Sequence, residues 1–368
     1  MNIRDLARNN VLTLKPYQSA RKLTHSGNIW LNANEFPIAP DYQLRCKKIH
    51  RYPMCQPQEI INKYAYYAGV RPDQILVSRG ADESIELLMK VFCNPGKDVI
   101  IFCPPTYGMY KTTAEILGIN YRIIPKKKNW QLDLVSIKSQ LNDVKLIYIC
   151  NPNNPTGNII HLNSLKKLLN IIQNRALLIT DEAYIDFCPD ASLVRWLSTY
   201  PHLVILRTLS KAFALAGIRC GFTLANPEII KLLEKVIAPY PLSIPVIDIA
   251  EQALTPINIQ YTKNRIAIIN TNRDILITGL KQCSCVQKVF NSNANYVLVR
   301  FNPKYQVFNA LLNQGIVLRD QSKQLGLINC SRITIGTLNE CKRVISVLKK
   351  LRVSSSTYVN KYRSTHVS

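Results

Sequence analysis

A chain of 368 residues with 47% hydrophobic residues holds enough apolar material for one large or two ordinary domains around a sizeable core, which excludes a disordered or fibrous protein. Met1 to Asn10 is polar and carries Arg4, Asp5 and Arg8, unlike a secretory leader, and no apolar run nears the roughly 18 residues of a membrane span, so a cytoplasmic protein without membrane contact is expected. A formal charge of +24 brings nucleic acid or an anionic substrate into view, but the longest basic run is Lys126-Lys127-Lys128, and a diffuse basic surface is usually just solvated.

In chain order, residues 1–45 read as an arm leading into the main body, marked by Pro16, Gly27, Pro37 and Pro40 and by the stretch Trp30-Leu31-Asn32-Ala33-Asn34-Glu35, with Tyr17 inside it. Helical spacing runs from Pro57 to Gly69 through Ile60, Ile61, Tyr64 and Ala68; Ile75 to Ser78 is a short strand, and Gly80-Ala81-Asp82-Glu83 opens the next helix. Strand, small-residue turn and helix start together make a phosphate cradle, because the free N–H groups of a first helical turn point at an anion that glycine and alanine allow to approach. Alternation continues with a strand over 98–102, a helix from Tyr107 to Leu117, a strand from Val144 to Cys150 that ends at Asn151-Pro152-Asn153-Asn154-Pro155-Thr156-Gly157, a helix from Leu162 to Gln173, and a strand from Ala176 to Thr180 followed directly by Asp181-Glu182-Ala183-Tyr184. The apolar run Leu203 to Leu206 leads into Thr208-Leu209-Ser210-Lys211-Ala212-Phe213, with Arg219 beyond.

Strands alternating with helices predict an α/β fold with a mostly parallel central sheet covered by helices on both faces, its polar segments gathered past the strand ends on one rim. From Pro227 towards Lys281 a long helical region is predicted, broken near Pro239-Tyr240-Pro241 and Pro245. Strands at Tyr296 to Phe301 and Arg332 to Ile335, and helices at Tyr305 to Gln314 and Glu340 to Leu351, suffice for a smaller α+β domain. The 11 cysteines, an odd number without a C-x-x-C pair, read as reduced thiols, and no metal is expected.

Lys211, just past a strand end, flanked by hydroxyls and followed by an arginine, suits a covalent link to a phosphorylated aldehyde cofactor. A surface lysine would fit the hexapeptide equally well, and its company decides between the two. A pyridoxal phosphate enzyme needs the lysine, a carboxylate that keeps the pyridine nitrogen protonated so that the ring draws electrons, and donors for the cofactor's O3′ and phosphate. Asp181 is the candidate carboxylate, and Tyr184 and Asn154 are candidates for O3′. A lone Asp after a strand is commonly a cap or turn residue; Asp-Glu-Ala-Tyr shortly before Lys211 is more pointed.

The order Gly80-Ala81-Asp82-Glu83, Pro105-Thr106-Tyr107, Asn151 to Gly157, Asp181-Glu182-Ala183-Tyr184, Ser210-Lys211 and Arg219 resembles the fold-type I, pyridoxal phosphate-dependent aminotransferases. Leu31 to Glu35, Arg51-Tyr52-Pro53, Val77 to Glu83, Leu206 to Gly217 and Leu318-Arg319-Asp320 bring it closer to the histidinol-phosphate aminotransferases, over everything up to about Leu351. The resemblance implies that Lys211 carries pyridoxal 5′-phosphate, that Asp181 pairs with the ring nitrogen, Asn154 and Tyr184 with O3′, and that Tyr107 stacks on the ring. It also implies that backbone N–H groups of Ala81 and Asp82, the hydroxyls of Thr208 and Ser210, and Arg219 hold the phosphate, joined by Tyr52 from the opposite subunit of a homodimer. For the substrate it implies Arg332, Arg319 and Tyr17, with Asn154, as the site of two anions in turn, the phosphate of histidinol phosphate and the carboxylate of glutamate. The implied reaction is transamination of L-histidinol phosphate with 2-oxoglutarate to imidazole acetol phosphate and L-glutamate, in histidine biosynthesis. The implied parts are an arm over 1–45 that contributes to the small domain and the dimer, a large cofactor-binding domain over 46–255 and a small domain over 256–352; outside the resemblance, residues 353–368, rich in Ser, Thr and Val without helical periodicity, read as a disordered tail. The residues themselves leave open aromatic-amino-acid aminotransferases and threonine-phosphate decarboxylases of the same fold. A nucleic-acid-binding regulator would need a further N-terminal domain where only a short arm precedes the body, so no specific nucleic acid is expected.

Overall fold

Short apolar runs buried on both faces need a hydrogen-bonded neighbour on each side, and most of these strands find theirs in one sheet. The computed structural model describes residues 2–14, 16 and 27–352. It contains strands β1 (Ile75–Ser78), β2 (Val99–Phe102), β3 (Asn120–Ile123), β4 (Val144–Cys150), β5 (Leu177–Asp181), β6 (Leu203–Thr208) and β7 (Gly221–Leu224), in the spatial order β1-β7-β6-β5-β4-β2-β3. Strands β2 to β6 pair in parallel, while β7 runs antiparallel to both of its neighbours. The mostly parallel sheet is therefore as expected, and the polar segments after β1, β2, β4, β5 and β6 share one rim. The reversed β7 brings its beginning to that same rim, with Gly221 opposite Ser78 on one side and Thr208 on the other.

Among the helices that cover this sheet are α1 (Gln58–Ala68), α2 (Ala81–Phe92), α3 (Met109–Leu117) and α4 (Leu162–Ile172). Successive strand side chains turn to opposite faces. Thus Leu76, Ile100, Leu146, Tyr148 and Val204 share a core with Ile85 and Leu88 of α2 and Tyr110 of α3. Val77, Ile101, Ile147 and Ile205 share the other with Ile60 and Ile61 of α1 and Leu165 and Leu168 of α4. Each such aliphatic side chain contributes about 1.5–3 kcal/mol on burial, far more than any difference in local propensity. Edge strand β3, Asn-Tyr-Arg-Ile, escapes a hydrophobic reading because no residue in it is fully buried.

Beyond β7 the helical region is three helices, α5 (Pro227–Glu234), α6 (Ile244–Ala253) and α7 (Pro256–Lys281). The interruption around Pro239 to Pro241 falls where expected, but Pro245 does not break anything. It sits in the first turn of α6, where its missing N–H has no helical partner to lose and its fixed φ is already helical.

Strands β8 (Val286–Val289), β9 (Tyr296–Phe301), β10 (Arg319–Asp320) and β11 (Cys330–Thr334) form a second sheet, antiparallel, in the order β10-β11-β9-β8. Helix α8 (Leu338–Lys350) starts at a capping box in which Glu340 N donates to Thr337 Oγ1 and Thr337 N to Glu340 Oε2. Its Val344 and Leu348 join Leu276 and Leu280 of α7 in the core. The N-terminal arm is bound to this second unit: Ile29–Trp30 runs parallel to Ile316–Val317, Leu31 N donates to Val317 O and Thr334 N to Leu31 O, both at 2.9 Å. Residues 31–34 are thereby led to the rim of the large sheet.

Candidate active site

The rim encloses a cavity of about 300 Å³. Into its wall the fold brings Lys211, Asp181, Asn154, Tyr184, Ala81, Asp82, Tyr107, Thr208, Ser210, Arg219, Arg319 and Arg332, residues that stand far apart in the chain. Tyr17 lies outside the described residues. Tyr52 is 80% exposed, stacks on Tyr240 with ring centroids 4.4 Å apart, and is not part of this wall.

Lys211 follows β6 and is half-buried; its Nζ donates to Ala33 O of the arm at 3.2 Å and lies 5.7 Å from the Tyr184 ring centroid. Burial, and next the positive charge of Arg332, lower its pKa to about 8, so the neutral, nucleophilic amine is accessible close to neutral pH. Asp181 closes β5 and is 3% exposed. Burial raises its pKa to about 6, against the pull of hydrogen bonds from Tyr110 and from the Ala183 N–H. Near pH 7 it is an anion in a site that water scarcely reaches, ready to pair with a cationic donor.

The anion cradle is built where β1, β6 and β7 meet. Gly80 has φ 81° and ψ 170°, a conformation that essentially only glycine takes up, and it aims the first turn of α2 into the cavity. A Cβ at Gly80 would lie 2.8 Å from Arg219 Nη2, and one at Gly221 would lie 2.5 Å from Gly80 C and 2.7 Å from Ala81 N. These two glycines let the α2 start, the Arg219 guanidinium and the β7 backbone converge. Ser210 Oγ lies 2.9 Å from Thr208 Oγ1, which donates to it, and 3.5 Å from Arg219 Nη1. Asp82 Oδ2 balances Arg219 at 3.6 Å, and Tyr107 OH donates to Asp82 Oδ1 at 2.9 Å. Amine, buried carboxylate, phenol and N–H cradle are the donor set a phosphorylated pyridine aldehyde requires, so the residues fit that group.

On the side of the second sheet, Arg332 Nη1 donates to Asn154 Oδ1 at 2.6 Å and Nη2 to Asn32 O at 2.8 Å. Asn154 and Asn34 both donate through Nδ2 to Tyr184 OH, at 3.2 and 2.9 Å, which leaves the phenol proton to be donated elsewhere. Arg319 and Arg332 are direct cross-strand partners of β10 and β11. Like charges placed opposite each other on adjacent strands repel, and a bound anion between them offsets that repulsion.

Three polar residues of the site carry no assignment from the sequence. Tyr110, in the first turn of α3, donates to Asp181 Oδ2 at 2.7 Å and is buried in the core; Tyr107, expected to open that helix, precedes it. Asn34 lies in the quoted arm motif. Lys126 belongs to the run expected to be solvated, yet it is buried: its Nζ donates to Cys103 O at 2.6 Å, Pro105 O at 3.2 Å and Asn153 Oδ1 at 3.1 Å. It ties the segment that carries Tyr107 to the segment that carries Asn154, and burial lowers its pKa to about 8.

Comparison with known proteins gives a consistent picture. The model of the family described as aminotransferase class I and II matches residues 6–348. A histidinol-phosphate aminotransferase of Blochmanniella pennsylvanica is 89% identical over 355 residues, 96% of this chain and 99% of the relative. One of Blochmanniella floridana is 73% identical over 355 residues, 96% and 100% of the two chains. Among solved structures, the histidinol-phosphate aminotransferase from Sinorhizobium meliloti in complex with pyridoxal-5′-phosphate superposes with a TM-score of 0.83 at 20% identity, over 93% of this chain and 96% of that one; at that identity the likeness is one of fold.

Proposed function

Because this chain belongs to the class I and II aminotransferases and, within them, to the histidinol-phosphate aminotransferases, we propose that its rim transfers the amino group of L-histidinol phosphate to 2-oxoglutarate with pyridoxal 5′-phosphate as cofactor, giving imidazole acetol phosphate and L-glutamate in histidine biosynthesis. The observation that carries the reading is the single cavity in which an amine lowered to about 8, a buried carboxylate and an N–H cradle face one another.

Bound pyridoxal phosphate supplies an aldehyde carbon for the amino group and a ring that draws off electrons. Lys211 is the residue that would hold that carbon through Nζ, and its free amine would take the proton from the substrate Cα, a task suited to an amine poised near working pH. Asp181 keeps the ring nitrogen protonated. Tyr184 and Asn154 hold O3′, Tyr107 lies against the ring, and the N–H groups of Ala81 and Asp82 with Thr208, Ser210 and Arg219 hold the phosphate. Arg332 and Arg319, with Asn154, take the substrate's anionic group, and the same pair serves the phosphate of one substrate and the carboxylate of the other. Tyr17 joins them on the strength of resemblance alone.

Tyr52 serves the phosphate of a second copy in a homodimer. Its exposure, together with exposed Leu44, Ile49, Met54, Tyr66 and Ile257, supports an apolar surface to be covered by that copy. We divide the chain into an arm over 1–45, a large domain over 46–255 and a small domain over 256–352, in keeping with the two sheets. No helix among the described residues is long and apolar enough to cross a membrane, and we assign the enzyme to the cytoplasm without a specific nucleic-acid partner. Single-turnover assays of the cofactor-loaded protein test the substrate: histidinol phosphate is expected to convert the cofactor to its amine form far faster than phenylalanine does. Equal rates, or phenylalanine ahead, would overturn the assignment.

A further inference from the structure

Asp181 needs more than a position at the end of β5. Buried and with few polar neighbours, a carboxylate is driven towards its neutral acid, and a neutral acid cannot hold a protonated ring nitrogen. The groups facing it are Tyr110 from α3, Cys150 at the end of β4, Asp82 at the start of α2, Lys211 after β6, and Tyr184 and Tyr296. Asp82 adds like charge, Lys211 opposite charge, and burial holds the Cys150, Tyr184 and Tyr296 protons in place. Tyr110 differs from the others in giving Asp181 a short side-chain hydrogen bond: 0% exposed, it donates to Oδ2 at 2.7 Å, and its ring is fixed by stacking on Tyr148 at 4.9 Å and edge-on to Tyr107 at 5.7 Å. Oδ1 accepts the Ala183 N–H at 3.1 Å, and a carboxylate retains lone-pair capacity beyond two such bonds.

We propose that Tyr110 is a positioning residue of the site, whose phenol O–H fixes the Asp181 carboxylate in one orientation and as an anion, so that it can receive the cofactor's ring N–H. Two phenols three residues apart then divide the work: Tyr107 holds Asp82 beside the phosphate cradle, and Tyr110 holds Asp181 beside the ring. Tyr110 cannot itself act as a base, because burial and the Asp181 charge push its pKa well above the ordinary value for a phenol. The inference rests on Asp181 as the partner of the ring nitrogen.

The test is Tyr110→Phe, which keeps the ring packing and removes one hydroxyl. The readout is the affinity of pyridoxamine 5′-phosphate, which has no aldehyde and forms no bond to Lys211, followed between about pH 5 and 8. Binding needs ionised Asp181, so affinity is present above the pKa of Asp181 in the free protein and is lost as pH falls through it. In wild type that loss is expected to centre on about 6. Without the phenol the carboxyl holds its proton more tightly, and the loss is expected at higher pH, with affinity at about pH 6 roughly ten- to a hundredfold below wild type. Tyr107→Phe is expected to weaken binding by a similar factor at every pH without moving the midpoint. A Tyr110→Phe protein that melts like wild type and keeps the wild-type midpoint overturns the role of Tyr110. An Asp181→Ala protein with wild-type affinity at every pH would instead overturn the reading of Asp181 beneath it.

Discussion

Gly221→Ala tests how tightly the anion cradle is assembled. Gly221 is the first residue of β7, held by register to Ser78 on one side and Thr208 on the other, and a methyl group there would meet Gly80 C at 2.5 Å and Ala81 N at 2.7 Å. Both obstacles are backbone, so no side chain can swing aside; either β7 or the start of α2 must move by several tenths of an ångström. Overpacking of this kind costs about 1–3 kcal/mol, and in a chain of this size that lowers the melting temperature of the cofactor-free protein by roughly 1.3–4 °C. The displaced atoms include the Ala81 N–H assigned to the cofactor phosphate. Loss of one or two charge-assisted hydrogen bonds predicts cofactor affinity down by roughly ten- to a thousandfold. Calorimetry and fluorescence titration with pyridoxal phosphate measure the two effects. Melting within about 1 °C of wild type together with affinity within threefold would refute the close approach inferred for β7 and α2.

Lys211→Ala is expected to reduce turnover by roughly a thousandfold or more while melting stays near wild type, since a half-buried rim lysine holds no core together; a tenth of wild-type turnover would rule out its role. Capture of pyridoxal phosphate by the cofactor-free protein should speed up with pH as Lys211 deprotonates and level off above about 8, and a stopped-flow rate still climbing steeply beyond about pH 9.5 would point to an ordinary lysine. Lys126→Met strips three hydrogen bonds and takes from the Cys103 carbonyl its donor, while Pro105 O keeps the Asn153 amide, at a cost of about 1–3 kcal/mol for the buried acceptor. Thermal melting is expected to drop by roughly 1.3–4 °C, and an unchanged transition would mean that Lys126 is no clamp.

Much of this architecture is legible in local patterns. The strand before Lys211 and the strand before Asp181 are continuous apolar runs followed at once by polar residues, and a parallel sheet places all such endings together. Residues whose meaning depends on a distant partner are not legible in this way. Tyr110 meets Asp181 across 71 positions, and an aromatic at helical spacing looks the same whether or not its hydroxyl has work. Lys126 looks like its two neighbours in a basic run, and only the return of the chain past Pro104 and Asn153 encloses it. The pairing of Arg319 with Arg332 depends on a strand of two residues, too short for any periodicity, and for that reason resemblance carried those residues where pattern could not.

The arm has a practical corollary. Asn34 is pinned to the second sheet by its N–H to Thr334 Oγ1 at 2.9 Å and by Asn295 Nδ2 to its carbonyl at 3.0 Å, while its own amide reaches Tyr184 and the preceding carbonyl takes the Lys211 amine. A protease nick after residue 34 would therefore not trim a dispensable leader. It would unhook a brace that spans both units of the molecule, and a clipped preparation would betray itself by a disturbed lysine before any loss of helix content.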